Sequence, residues 1–102
     1  MAQFPIDFMS WRTEYVYDVC AGVRSTRNKD GGILLDLHRD RMFRLNPLGA
    51  IIFDAIQKGQ TESEITEEII RHFDVSPEAA SSDAREFLMS LERLGVLLAR
   101  NP

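Results

Sequence analysis

The side chains able to do chemistry are few, and they are scattered. His38 and His72 lie 34 residues apart. The first falls in a polar turn and the second near the end of a helix, where a partial positive charge is favourable, so neither reads as a base or a ligand. Cys20 has no basic neighbour to draw off its proton and reads as a structural thiol rather than a nucleophile. One cysteine and two separated histidines do not make a four-ligand zinc site. Gly31 and Gly32 fit a hairpin turn better than a phosphate-cradling loop. Glu62, Glu64, Glu67 and Glu68 read as the solvated face of a helix, the early carboxylates sitting favourably near its N-terminus. No catalytic residue, metal site or cofactor follows, and a binding module is the better class.

The charge that remains is unevenly spread. Residues 1–20 carry net −2, residues 21–45 net +3 and residues 46–102 net −5, within an overall −4. An acidic balance argues against a nucleic-acid binder. A winged-helix DNA-binding regulator is the alternative, with residues 61–73 and 76–94 as a helix-turn-helix pair. That second helix offers Glu78, Asp83, Glu86 and Glu92 against Arg85 and Arg93, and such a surface repels phosphate. Neither nucleic acid nor membrane is an expected partner: no unbroken apolar run exceeds four residues, and no secretory signal is visible. With a single cysteine the default location is the cytoplasm.

The elements that must position any binding surface are legible from their punctuation. Asn46 can cap a helix with Pro47 at its first position, Leu48, Ile51, Ile52, Ala55 and Ile56 at helical spacing, and Gly59 as the stop. Thr61 and Glu64 form a capping box ahead of Ile65, Ile69 and Phe73. Ser76 and Pro77 open a third helix, with Ala80, Ala84, Phe87, Leu88, Leu91 and Leu94 on one face and Gly95 at its end. Before them, Ile33, Leu35 and Leu37 alternate with Leu34 and Asp36 after the Gly31–Gly32 turn. Beyond His38, Arg39 and Asp40 the alternation resumes over residues 41–45, with Phe43 and Leu45 on one face and Met42 and Arg44 on the other. An earlier strand covers part of residues 15–25. The fold class is α+β: a winged-helix-like arrangement in which a three-stranded antiparallel sheet is followed by three helices. The apolar residues Phe4, Ile6, Phe8, Met9 and Trp11 make residues 1–20 an N-terminal apolar arm or extra strand.

A three-stranded sheet beside helices presents an edge of unpaired N–H and C=O groups, to which a partner peptide can add as a strand. Arg39, Arg41 and Arg44 near that edge suit a peptide with acidic residues.

The run from Gly32 to Phe53 (GILLDLHRDRMFRLNPLGAIIF) is followed by Gly59-Gln-Thr-Glu-Ser-Glu-Ile, Phe73-Asp-Val, Asp83, Phe87-Leu88, Leu91 and Leu94-Gly95-Val96-Leu97. In this order the residues resemble the PqqD family, whose members are recognition elements for ribosomally made precursor peptides (RiPPs). The resemblance implies a peptide-recognition domain over residues 21–98. It implies a precursor leader peptide as partner, bound as an added strand between the third strand and third helix. It also implies a separate modifying enzyme or leader peptidase that receives the peptide, with no catalysis by the chain itself. Carried onto this sequence, the backbone of Arg41, Met42, Phe43 and Arg44 pairs with the leader, while Asp83, Ala84, Phe87 and Leu91 wall the pocket. The Leu45-Asn46-Pro47-Leu48-Gly49-Ala50 form is similar to stand-alone lasso-peptide recognition proteins. The apolar arm could cover the rear sheet face around Leu34 and Met42, make a dimer, or contact the partner enzyme.

Overall fold

A computed structural model describes residues 14–101. Along the chain run β1 (Val16–Val19), β2 (Val23–Asn28), β3 (Gly31–Asp36), β4 (Arg41–Leu45), α1 (Pro47–Gln57), α2 (Glu62–His72), α3 (Pro77–Arg93) and β5 (Leu97–Arg100). The expected three-stranded antiparallel sheet is present in the order β2-β3-β4, and a second, two-stranded sheet pairs β1 with β5. The apolar arm expected at Phe4 to Trp11 lies outside the described residues.

All three helices begin where their caps direct. The Asn46 side chain accepts from the Gly49 N–H at 2.7 Å, satisfying one of the four donors a helix start leaves unpaired. Thr61 and Glu64 close their capping box at 3.2 and 2.8 Å. Ser76 accepts from Ala79 at 3.1 Å. Each helix buries one stripe, and Phe53, Ile52, Ile65, Ile69 and Leu88 meet Leu34, Val96 and Leu97 in one core.

Three expectations are corrected here. The strand sought in residues 15–25 is two strands in different sheets, because the chain turns at Cys20 to Gly22, where the Val23 N–H donates to the Cys20 carbonyl. Leu34 does not share the rear sheet face with Met42. It stands opposite Phe43 in the register and is wholly buried, whereas Met42 stands opposite Leu35, and cross-strand partners share a face. The rear face is therefore Arg24, Thr26, Ile33, Leu35, Met42 and Arg44. The third correction is Glu62, which is not on a solvated helix face but 2% exposed. Its carboxylate accepts from the Tyr17 hydroxyl at 3.0 Å and from Nε and Nη2 of Arg85 at 3.2 and 3.0 Å. Its backbone N–H donates to the Tyr15 carbonyl at 3.0 Å. One acidic residue thus joins β1, the start of α2 and the middle of α3.

Strand β5 had no expectation attached. It continues from the turn after α3, where Gly95 takes φ +79°, a left-handed conformation that glycine adopts without a Cβ clash. The Arg39 guanidinium lies directly against this glycine.

Candidate functional site

β4 is an edge strand: β3 pairs along one side, and no described residue pairs along the other. In an antiparallel strand alternate residues turn their N–H and C=O outward, so this flank carries unmet donors and acceptors. β4 packs on β3 and α1, whereas α3 packs on α2 and β5. The open flank of β4, together with the cavity between α1 and α3, is the candidate cleft.

One end is pinned by arginine. Nη2 of Arg41 donates to the Asp36 carboxylate at 2.6 Å and to the Leu94 carbonyl, also at 2.6 Å. Its guanidinium also sits 5.1 Å from the centre of the Phe43 ring, within cation–π range. Arg39 adds weaker bonds at 3.3 Å to the Leu94 and Gly95 carbonyls, the kind of C-terminal acceptors a cation meets favourably. Arg41 is therefore committed to holding the end of α3 against the β3–β4 hairpin. Of Arg39, Arg41 and Arg44, the cations expected to suit an acidic peptide, the first two are engaged with the end of α3 and Arg44 is exposed on the rear face.

Asp36 anchors this clamp and is 3% exposed. The hydrogen bond from Arg41 holds its carboxyl below the ordinary carboxylate range, against the opposing effect of desolvation and with help from Arg39. A carboxyl whose folded pKa is depressed contributes stability in full above its unfolded value, about 3.9, and loses it as pH falls through the folded one. Asp36→Asn should accordingly be less stable than the natural chain near neutrality, and the gap should narrow as pH drops below about 4. Thermal melts across that range check this, and a constant gap would show that the Asp36 charge does not hold the clamp.

At the other end the Phe87 ring lies against the first turn of α1. A Cβ built on Gly49 would stand 3.1 Å from the Phe87 ring, so the missing side chain is what lets ring and helix approach so closely. Around this contact lies a cavity of about 320 Å³, lined by Asn46, Leu48, Gly49 and Ile52 of α1 and by Asp83, Glu86, Phe87 and Ser90 of α3. A larger depression of about 590 Å³ lies elsewhere, between β1, the start of β2 and the end of α1, where the Asp18–Arg100 ion pair forms part of its wall.

Of the residues expected to wall a peptide pocket, Asp83 and Phe87 line the cavity. Ala84 and Leu91 do not: both are buried in the core on the adjoining stripe of α3. Phe43 is half-buried on the cleft side of β4, while Met42, 67% exposed, points to the rear face. The sequence reading missed Glu86 and Ser90, although Asp83, Glu86, Phe87 and Ser90 recur at i, i+3, i+4 and i+7, one helical stripe. It missed Leu48, Gly49 and Ile52 because they belong to a different helix.

Comparison with known proteins bears on this geometry. Residues 31–97 match the family model of Coenzyme PQQ synthesis protein D (PqqD). TbiB1, solved in complex with the TbiA(beta) leader peptide, superposes with a TM-score of 0.73 at 26% identity, covering 78% of this chain and 92% of that one. A lasso peptide synthetase B1 complexed with its leader peptide gives the same TM-score, 0.73, at 20% identity over 80% of this chain and 96% of that one, a likeness of fold alone. No curated protein sequence gives a significant match. With the family model spanning both walls of the cleft, the chain belongs to the PqqD family.

Proposed function

We propose that this protein is a recognition element for the leader segment of a ribosomally made precursor peptide. It captures the leader as a strand added to β4 and presents it to a separate modifying enzyme or leader peptidase, without catalysing the modification. The observation that carries this reading is the β4 flank, unpaired among the described residues, with a cavity between α1 and α3 that Phe87 lines. Its support is a fold shared with two proteins solved as leader-peptide complexes.

The energetics say what such a site must contain. Fixing each residue of a flexible peptide costs about 1–2 kcal/mol of backbone entropy. Each new main-chain hydrogen bond returns only about 1 kcal/mol net. Pairing with β4 alone therefore does not hold a peptide, and two or three apolar anchors at roughly 1.5–3 kcal/mol each must supply the rest. Successive residues of an added strand alternate between the cleft side and the rear face. Cleft-side residues meet Phe43 and Phe87, and a rear-face residue meets Arg44, where an acidic side chain fits.

Amide hydrogen exchange tests the mode of binding. A peptide selected against the full chain from a random-sequence mRNA-display library should slow exchange at outward amides of β4 and leave those of β2 unchanged. Protection on β1 instead, beside the larger depression, would overturn the assignment of the site. Micromolar binding of duplex DNA with no peptide enriched would overturn the function.

A further inference from the structure

The cavity at the Phe87 end of the cleft has an apolar floor and an acidic wall. Leu48, Ile52 and the Phe87 ring form the floor, and Asp83 and Glu86, one helical turn apart on α3, stand beside it. Both acidic residues are exposed, and among the described residues no ion pair or side-chain hydrogen bond engages either carboxylate. The two arginines of α3 are committed or distant. Arg85 is held by Glu62 on another face of α3. Arg93 lies two turns further along the helix. At the N-terminus of α1, across the cavity, the neutral Asn46 side chain already accepts the Gly49 N–H. Two like charges on adjacent turns repel each other weakly, and an opposite charge arriving from outside relieves this as it forms its own pairs.

We propose that this end of the groove reads a basic side chain: the bound peptide carries a lysine or arginine two residues along from the apolar anchor that packs on Phe87, and Asp83 with Glu86 receive its charge. The inference rests on the strand-addition reading and adds a sequence requirement to it. The spacing follows from strand geometry, because the next residue on the same face is the second one along. A long basic side chain suits the place, since its methylene stem can cross the apolar floor while its head reaches the wall. The peptide is thus bipolar across its own strand, basic toward α3 and, opposite Arg44, acidic toward the rear face.

The test repeats the mRNA-display selection, with random-sequence peptides, against the natural chain and against Asp83→Lys/Glu86→Lys. The natural chain should enrich peptides with an apolar anchor and a lysine or arginine two positions away. The charge-reversed chain should keep the anchor and replace the basic residue by an acidic one. A peptide selected by the natural chain should bind the reversed chain about tenfold more weakly, as loss of two exposed pairs and gain of repulsion imply. The isosteric pair Asp83→Asn/Glu86→Gln, which disturbs the helix least, should weaken it about threefold. Glu67→Lys, on α2, should leave it unchanged. Anchored peptides without a charge preference, or unchanged affinity in both double variants, overturn the basic-residue inference and leave strand addition standing. Failure to enrich any peptide, or exchange protection away from β4, overturns strand addition and this inference with it.

Discussion

Glu62→Ala should lower the stability of the protein by about 3 kcal/mol, the cost of breaking a buried ion pair from one side. For a domain of this size that is a fall in melting temperature of roughly 12–24 °C. Glu62 joins three elements at once, through the Tyr17 hydroxyl, both bonded nitrogens of Arg85, and its own N–H to the Tyr15 carbonyl. Alanine keeps the last of these and removes the others. It also removes a carboxylate from the first turn of α2, where the helix dipole favours one. Tyr17→Phe, which takes away one hydrogen bond from the same carboxylate, should cost about 1 kcal/mol. Glu67→Ala, on the exposed face of the same helix, should fall within about 0.5 kcal/mol of the natural chain. Chemical denaturation measures all three. If Glu62→Ala proves no worse than Glu67→Ala, the carboxylate is not what fastens β1 to the helices.

That same residue shows where sequence reasoning stops. A glutamate one position after a capping threonine, followed by three more within seven residues, has the pattern of a solvated face, and for Glu64 and Glu67 the pattern holds. Nothing local distinguishes Glu62. Its burial depends on Tyr17 and Arg85, 45 and 23 residues away. The helices were legible because their signals are local: a cap, a proline and a stripe of apolar residues within one or two turns. The β3–β4 hairpin was legible for a similar reason, since alternation and a polar turn lie within fifteen residues. β5 was not, because it is four residues long and takes its partner from the opposite end of the chain; a strand was expected within residues 15–25, where β1 lies, but not its pairing with β5. A strand that short has too few residues for alternation to register.

The proposed binding site divides in the same way. Its strand wall is one run of sequence, and Phe43 was placed on the correct side of it. The helical wall required choosing a face of α3, and the residues chosen straddle two. Ala84 and Leu91 belong to the stripe that enters the core, Asp83 and Phe87 to the adjoining stripe that borders the cleft. Position around a helix differs by 100° per residue, so neighbours in sequence separate into different environments. The role of Arg41 was hidden for another reason. Its partners are a buried carboxylate in its own hairpin and a carbonyl 53 residues on, and a main-chain carbonyl leaves no mark in a sequence.

Phe87→Ala separates the two stripes by experiment. Phe87 is half-buried, packs on Gly49 and borders the cavity, so its removal should cost the fold only about 1–2 kcal/mol. On the proposed reading the ring is the apolar contact for the leader anchor, and losing about 2 kcal/mol there should weaken a selected peptide roughly thirtyfold. Leu88→Ala, at the next position, should behave in the opposite sense. Leu88 is wholly buried, so truncation leaves a cavity and costs about 2–5 kcal/mol, while at temperatures where the variant is folded the peptide affinity stays within a few-fold. The ratio of the two effects is the readout, measured by denaturation and by peptide titration on the same preparations. Should Phe87→Ala destabilise as much as Leu88→Ala and bind peptide as well as the natural chain, Phe87 is a core residue and the apolar anchor sits elsewhere along β4. Main-chain pairing is too weak to hold the leader without such an anchor, so the residue that produces the thirtyfold loss locates the pocket.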